Sequence, residues 1–528
     1  MMATPDNEMS TTRVNGRAVR QRSKLAETVA RQIEHEILAS GWEVGSVVGD
    51  EAHLIAQYGI SRAVAREAIR LVERHHVAAP RRGRGGGLVV MAPTETSVVE
   101  SITLFLQVVG VETWQLIDAR LLLELLAVRQ AVERLTETGI SRLRASVAAE
   151  ASVGICAADK SALHNVIIEC AANPVVRLYL DGLIQLMRQD PGVIRKVRED
   201  GAAAVPRLPE IHRGIAEAVV AGDVGLAQQR MTAHIKAIGR DIQTAQSGAQ
   251  SGAQSAAQST VGPAGPGRPD PLALGGATVA RVRASDKALS SILADIRVHA
   301  REPGFNLGSE PALLQRYGIA RSALREAVRF LEHLGVVEMR RGTAGGLVIT
   351  EPAPDGLAQT IAMYLEYCRT SSSDLRQVRT ELELYSVRQV ASGMTGHARE
   401  RLMDILRSER RAGDALVAPV VDVPYQISKA SRFHLAIADL SGNHATQVFV
   451  RPLIILTSGG SPDADAAALP GARERAASVR RAHQSIAEAV MAGDEEVAAY
   501  RMRKHLAAVF VSGAGPGRPP DPGPRQDE

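Results

Sequence analysis

Aromatic residues make up only 3% of this 528-residue chain, and Cys156, Cys170 and Cys368 are its three cysteines. A chain so poor in Phe, Tyr and Trp must build its cores from Leu, Val, Ile and Ala. That favours helices over a large β-sandwich or barrel. Three cysteines with no CxxC pair exclude a disulfide scaffold and a thiolate zinc finger, and fit a reducing compartment. No apolar run reaches about 18 residues, so no membrane span is expected. The N-terminus is polar where a secretory leader needs an apolar stretch, so a cytoplasmic protein is the expectation. Charge of one sign is also lacking: Lys and Arg number 62 against 58 Asp and Glu, a net +4. A balance this even says nothing about nucleic acid, and the local distribution has to decide.

What the chain does have is an internal duplication. Tyr58–Glu73 reads YGISRAVAREAIRLVE and Tyr317–Glu332 reads YGIARSALREAVRFLE, identical at nine of sixteen positions with an offset of 259. The same offset relates Arg81-Arg82-Gly83 to Arg340-Arg341-Gly342, Gly86-Gly87 to Gly345-Gly346, and Arg120 and Glu124 to Arg379 and Glu383. Further on, His164 and Asn173 match His434 and Asn443 at offset 270, while His212 and His234 match His483 and His505 at offset 271. A period this long means duplicated domains rather than a solenoid. Between the copies lies AQSGAQSGAQSAAQS (Ala245–Ser259) and then a Gly/Pro-rich run. That composition predicts a flexible linker over 244–279, with a span of roughly 30–35 Å. Residues 513–528 read as a disordered tail. Residues 1–22 read as a basic tail, either solvated or a phosphate-contacting arm.

The first half of each module, 23–92 and 280–351, has the pattern of a winged helix-turn-helix. In copy one, a helix with Val29, Ile33 and Ile37 on one face is followed by a short helix ending at Gly59. Ser61 then stands where it can cap a third helix, from Arg62 to about His75, with Val64, Ala68, Leu71 and Val72 inward. Arg62 and Arg66 share another face, and the hairpin RRGRGGG follows. A helix of this kind fits the major groove, and arginines on its N-terminal half reach guanine edges or phosphates. A basic glycine hairpin can grip backbone or enter the minor groove. The candidate DNA contacts are Ser61, Arg62, Arg66, Arg81, Arg82 and Gly83, with Arg321, Ser322, Arg325, Arg340, Arg341 and Gly342 in copy two.

The second halves, 96–243 and 355–512, read as all-α bundles. Thr113–Glu137 is a long helix with Ile117, Leu121, Leu125 and Val128 on its buried side. Pro209 opens a helix carrying His212, ended by Ala221-Gly222-Asp223, and the next carries His234. Two antiparallel helices joined there would bring both imidazoles to one level, and His164 supplies a third. The candidate metal ligands are His164, His212 and His234, then His434, His483 and His505. Three imidazoles make a partial shell for zinc or another divalent transition metal. Arg120 and Arg379 can clamp a carboxylate, or simply pair with Glu124 and Glu383 four residues on.

These motifs resemble the GntR superfamily. Gly59-Ile60-Ser61-Arg62, Ala65-Arg66-Glu67-Ala68-Ile69 and Gly86-Gly87-Leu88-Val89 are similar to that family's turn, recognition helix and wing. In copy two Gly318-Ile319-Ala320-Arg321, Leu324-Arg325-Glu326-Ala327-Val328 and Gly345-Gly346-Leu347-Val348 match. The second halves resemble the FCD ligand-binding bundle of the FadR subfamily. The resemblance implies a transcriptional regulator, a repressor as the commoner case, that binds double-stranded operator DNA. It also implies control by a small carboxylate effector at Arg120, Asn173, Arg379 and Asn443, and metal held by the six histidines. It implies pairing of the copies as an intramolecular pseudo-dimer, or a homodimer. Some positions depart from the family. Ala52 and Pro311 stand where relatives carry an arginine, Ala320 replaces the capping serine, and Lys160 and Ala430 replace an aspartate ligand. A three-histidine centre completed by water and a metal-free pocket therefore both stand open. The competing readings are a metal-assisted hydrolase and an interaction protein with inactive heads.

Overall fold

The computed structural model describes residues 25–153, 162–189, 208–259, 284–299, 302–413, 430–458 and 471–512, apart from residues 82, 84, 85, 341, 343 and 344 at two turn tips. The two tails and much of the linker lie outside the described residues. The fold is mainly helical, with a small three-stranded antiparallel sheet in each head.

Head one comprises α1 (25–39), β1 (Val47–Gly49), α2 (Glu51–Tyr58), α3 (Arg62–Arg74), β2 (Ala78–Arg81) and β3 (Gly87–Val90). Asp50 caps α2 by accepting from the His53 N–H, and Gly59 ends it in the left-handed region at φ 61. Ser61 accepts from the Val64 N–H and starts α3. The wing pairs Ala78 with Val90 and Arg81 with Gly87, and β1 adds on the far side of β3. Gly87 is needed there: its φ is 144, and a Cβ would stand 2.8 Å from the Gly49 carbonyl oxygen. Head two repeats this with α11 (Ala284–Val298), β4 (Asn306–Gly308), α12 (Glu310–Tyr317), α13 (Arg321–His333), β5 (Val337–Arg340) and β6 (Gly346–Ile349).

Bundle one runs through α4 (Glu95–Val109), α5 (Thr113–Glu133), α6 (Glu137–Val153), α7 (Ala162–Ala171), α8 (Pro174–Gln189), α9 (Leu208–Val220) and α10 (Val224–Ser259). Bundle two runs through α14 (Asp355–Tyr367), α15 (Ser372–Ser392), α16 (Gly396–Ala412), α17 (Ser431–Leu440), α18 (His444–Ser458), α19 (Ala472–Met491) and α20 (Glu495–Ser512).

Several sequence expectations need correction. The long helix α5 stops at Glu133, and its neighbour begins at Glu137, so the run to Glu137 is two elements. Leu121 and Leu125 are only half-buried, whereas Leu123, Leu126 and Ala127 are buried, because α5 is packed on several sides. Strands β1 and β4 are too short to carry a sequence pattern. The first part of the presumed linker is helix as far as Ser259. Ala and Gln are good helix formers, and a helix already packed on α5 extends by one hydrogen bond per added residue, which offsets the glycines.

The chain divides into two compact units: Met1–Glu100 with Asp355–Glu528, and Ser101–Pro354. The first unit thus joins head one to bundle two, and the second joins bundle one to head two. In the first unit, Ile33, Leu54, Val64, Val72 and Leu88 of head one share a core with Met363 of α14. Trp42 packs edge-on against Tyr367, with ring centroids 5.3 Å apart. Bundle two has its own core of Leu384, Val387, Leu402, Phe433, Ile486 and Met502. In the second unit, Leu123, Ile167, Leu180, Ile215 and Met231 fill the bundle, while Ile292, Leu313, Leu324 and Leu331 fill the head.

Candidate functional site

Each head presents two arginines on the outer face of its third helix. The side chains of Arg62 and Arg66 are 73% and 55% exposed, and those of Arg321 and Arg325 are 62% and 56% exposed. They are open to a ligand, but not without partners. Glu51 places its two carboxylate oxygens 2.8 Å from Arg62 Nε and 3.0 Å from Arg66 Nε. Glu310 Oε1 lies 3.2 Å from Arg321 Nε and 3.0 Å from Arg325 Nε. One glutamate in the first turn of the second helix therefore holds both arginines in each head. Sequence reasoning missed this residue, although it repeats at the offset of 259.

Arg81 and Arg340 end strands β2 and β5, and Gly83 and Gly342 turn the wing at φ 103 and 112. Arg82 and Arg341 lie outside the described residues. The Ser61 hydroxyl is engaged in the cap, while Ser322 is exposed on the first turn of α13. Ala320 provides no side-chain cap.

In each bundle the three histidines come together. His164 on α7, His212 on α9 and His234 on α10 are buried, with His234 Nε2 3.1 Å from His164 Nε2 and 3.3 Å from His212 Nε2. In bundle two His505 Nε2 lies 3.1 Å from His483 Nε2 and 3.2 Å from His434 Nε2. In two histidines of each cluster the opposite ring nitrogen faces a carboxylate. His164 Nδ1 is 2.8 Å from Glu124 Oε1, and His212 Nδ1 is 2.7 Å from Glu150 Oε2. His434 Nδ1 bonds Glu383, and His483 Nδ1 is 2.7 Å from Glu409 Oε1. Glu150 and Glu409 were not foreseen, although they too are related by 259.

The donor set fits a metal. An imidazole that donates its Nδ1–H to a carboxylate presents a bare Nε2 lone pair. Two such lone pairs in each cluster converge on the Nε2 of the third imidazole, His234 or His505, a set of three nitrogens that a cation between them would satisfy. Ligands about 2.0–2.1 Å from a tetrahedral zinc stand about 3.3–3.4 Å apart, close to the spacing here. Burial, with the neighbouring histidines, pushes His212 down to about 3 and His234 to about 2, so both are neutral at ordinary pH. His483 and His505 fall to about 3 and 2 for the same leading reason. The clusters are not identical: burial pushes the Glu409 carboxyl up to about 8.

Behind each cluster a buried arginine completes a chain. Arg120 Nε donates to Glu124 Oε1 at 3.2 Å, and its Nη1 reaches Met187 Sδ at 3.7 Å. Arg379 Nε donates to Glu383 Oε1 at 2.6 Å, and its Nη1 donates to Thr457 Oγ1 at 2.5 Å. Burial alone would raise both glutamates, but the adjoining histidine and arginine outweigh it and hold each at about 2. Asn173 and Asn443 have a structural role that the sequence reading did not give them. The Asn173 side-chain Oδ1 accepts from the Val175 and Val176 N–H groups, and that of Asn443 accepts from the Ala445 and Thr446 N–H groups. Both cap the start of a helix, a role their place just before that helix favours.

Exposed arginine pairs on winged heads, each head joined to a helical bundle with a buried histidine cluster, define a DNA-binding regulator with a sensor module. The model for bacterial regulatory proteins of the gntR family matches residues 25–87, and the FCD domain model matches 115–237 and 374–508. The chain belongs to the GntR family of transcriptional regulators and carries two FCD domains. The HTH-type regulator RmpR of Mycobacterium gastri is 30% identical over 30% of this chain and 54% of its own length. This chain thus spans about half of that relative. LutR of Bacillus subtilis (strain 168) is 27% identical over 39% of this chain and 91% of its own length. A protein described as an L-lactate dehydrogenase operon regulator of Escherichia coli (strain K12) is 27% identical over 44% and 86%. Among solved structures, Streptococcus agalactiae GntR covers 43% of this chain and 99% of its own, with 22% identity and a TM-score of 0.30. Among the described residues no helix is long and apolar enough to cross a membrane.

Proposed function

We propose that the chain is a cytoplasmic operator-binding repressor whose two heads are released from DNA by a small carboxylate, and that it acts by binding rather than by catalysis. The observation that carries this is the repeated chain of arginine, glutamate and histidine leading into three convergent imidazole nitrogens, 2.6–3.2 Å per arginine–glutamate step. In this reading the three histidines of each bundle hold a divalent transition metal, zinc foremost, which as a Lewis acid would draw an anionic ligand to its open position. Glu124, Glu150, Glu383 and Glu409 fix the imidazole tautomers. Arg120 and Arg379 neutralise the incoming carboxylate, exchanging part of their hold on the glutamates for a bidentate bond to it. One relative's description as an L-lactate dehydrogenase operon regulator supports a small carboxylate ligand. The two copies work together on one operator as an intramolecular pseudo-dimer.

A mobility-shift assay with DNA from the chain's own promoter region tests this. A shift at low salt is expected, lost when Arg62→Ala and Arg321→Ala are combined. Metal analysis of the purified chain is expected to show bound divalent metal. No shift at low salt sinks the operator reading, and metal-dependent hydrolytic turnover would favour an enzyme instead.

A further inference from the structure

Head one carries a buried carboxyl group that its own fold satisfies at one oxygen only. Glu34 on α1 is 0% exposed. One carboxylate oxygen bonds His75 Nδ1 at the end of α3. The other accepts from Gln359 Nε2 of α14 at 3.1 Å, across 325 residues of sequence. Gln359 is itself buried, one turn from the Met363 that enters the head-one core. A carboxylate taken out of water is tolerated only while its partners stay in place.

The other copy lacks every part of this arrangement. At the offset of 259, Leu293 stands for Glu34, Leu334 for His75 and Glu100 for Gln359. In the same register, head one on the first copy's helix would set Glu34 against Glu100, two carboxylates facing each other. Head two on α14 would bury the Gln359 amide against Leu293. Both wrong pairings are penalised, one by like charge and one by an unmet polar group.

The same helix is connected to the second histidine cluster. His434 bonds Glu383, Glu383 bonds Arg379, and Arg379 bonds Thr457 on α18. Two residues before Thr457 on α18, Ile455 packs against Ala358 and Ala362 of α14, on either side of Gln359.

We propose that Glu34 is a pairing key that admits only the second copy's bundle beneath head one, and that head one is therefore the output of the second histidine cluster. The control is crossed between copies. This rests on the sensor reading of the bundles, but its test needs neither metal nor effector.

The test is hydrogen exchange on the full chain in three variants. Gln359→Glu is expected to raise amide exchange in residues 25–42 at least tenfold and leave 284–298 unchanged. Adding Glu34→Gln, which restores an amide–carboxylate bond with the partners reversed, is expected to recover most of that protection. Thr457→Val removes one hydroxyl with little change of shape, and is expected to raise exchange in 25–42 at least threefold, again without effect on 284–298. Equal loosening of both heads, loosening of head two alone, or no recovery in the double variant overturns the key. Unaltered exchange in Thr457→Val overturns the line of control, even where Gln359→Glu loosens the head. A failed metal or mobility-shift assay would count against the sensor reading and leave these exchange results standing.

Discussion

Replacing Glu51 by Gln removes the carboxylate that holds both recognition arginines of head one while keeping its size and hydrogen-bonding reach. To meet phosphate or guanine, Arg62 and Arg66 must give up contacts of 2.8 and 3.0 Å. Exposed ion pairs are worth about 0.2–1 kcal/mol each, so the two together oppose DNA binding by about 0.4–2 kcal/mol. Their release should tighten binding to random-sequence duplex about two- to thirtyfold. The variant also carries one negative charge less beside the phosphates. Its log–log salt slope should steepen by about 0.9 for each further phosphate that an arginine neutralises. Fluorescence anisotropy with a labelled random duplex, between about 50 and 200 mM salt, measures both quantities. Discrimination between operator and random DNA should narrow, because the freed arginines bind any phosphate while a guanine edge gains less. Glu310→Gln should act likewise on head two, where the contacts are 3.2 and 3.0 Å. Unchanged or weaker binding to random duplex in both variants would refute the idea that these glutamates restrain the arginines.

Three further outcomes are expected. Ala320 leaves α13 without the cap that Ser61 gives α3, a deficit of about 0.5–2 kcal/mol; Arg62→Ala should thus cost more operator affinity than Arg321→Ala, and equal losses by anisotropy would contradict this. His234→Ala should lower the metal content measured by elemental analysis to that of the second cluster alone, and adding His505→Ala should abolish it; retention of both ions would move the metal elsewhere. Arg379→Ala leaves the buried Glu383 with His434 alone, and breaking such a buried ion pair costs about 3–5 kcal/mol, which should lower the thermal midpoint of the first unit sharply; a midpoint within a degree of the parent would show the pair to be dispensable.

Much of this architecture was legible in the sequence because it was written twice. The turn at Gly59, the cap at Ser61 and the arginine spacing on α3 are local features, and each stands where the pattern put it. The convergence of two histidines in each bundle followed from a spacing of 22 residues across a tight turn, which two antiparallel helices bring level. Long-range partners were not legible. Glu51 looks like an ordinary first-turn acid, and Glu150 sits in a helix with no acid-specific pattern; only packing brings either to its partner. The capping role of Asn173 and Asn443 was not read, because a residue repeated in both copies can be kept for a helix cap as readily as for a ligand. The helical run to Ser259 was hidden by glycines that suggested flexibility.

The sharing of one apolar core between head one and Met363 of α14 bears on how the protein can be dissected. A fragment ending before residue 355 would take head one away from the surface it rests on and turn Glu34 and Trp42 out into water. Such a fragment should be prone to clump, yet be rescued by adding the C-terminal remainder as a separate polypeptide. Split-chain complementation, rather than isolated domains, is the way to take this molecule apart.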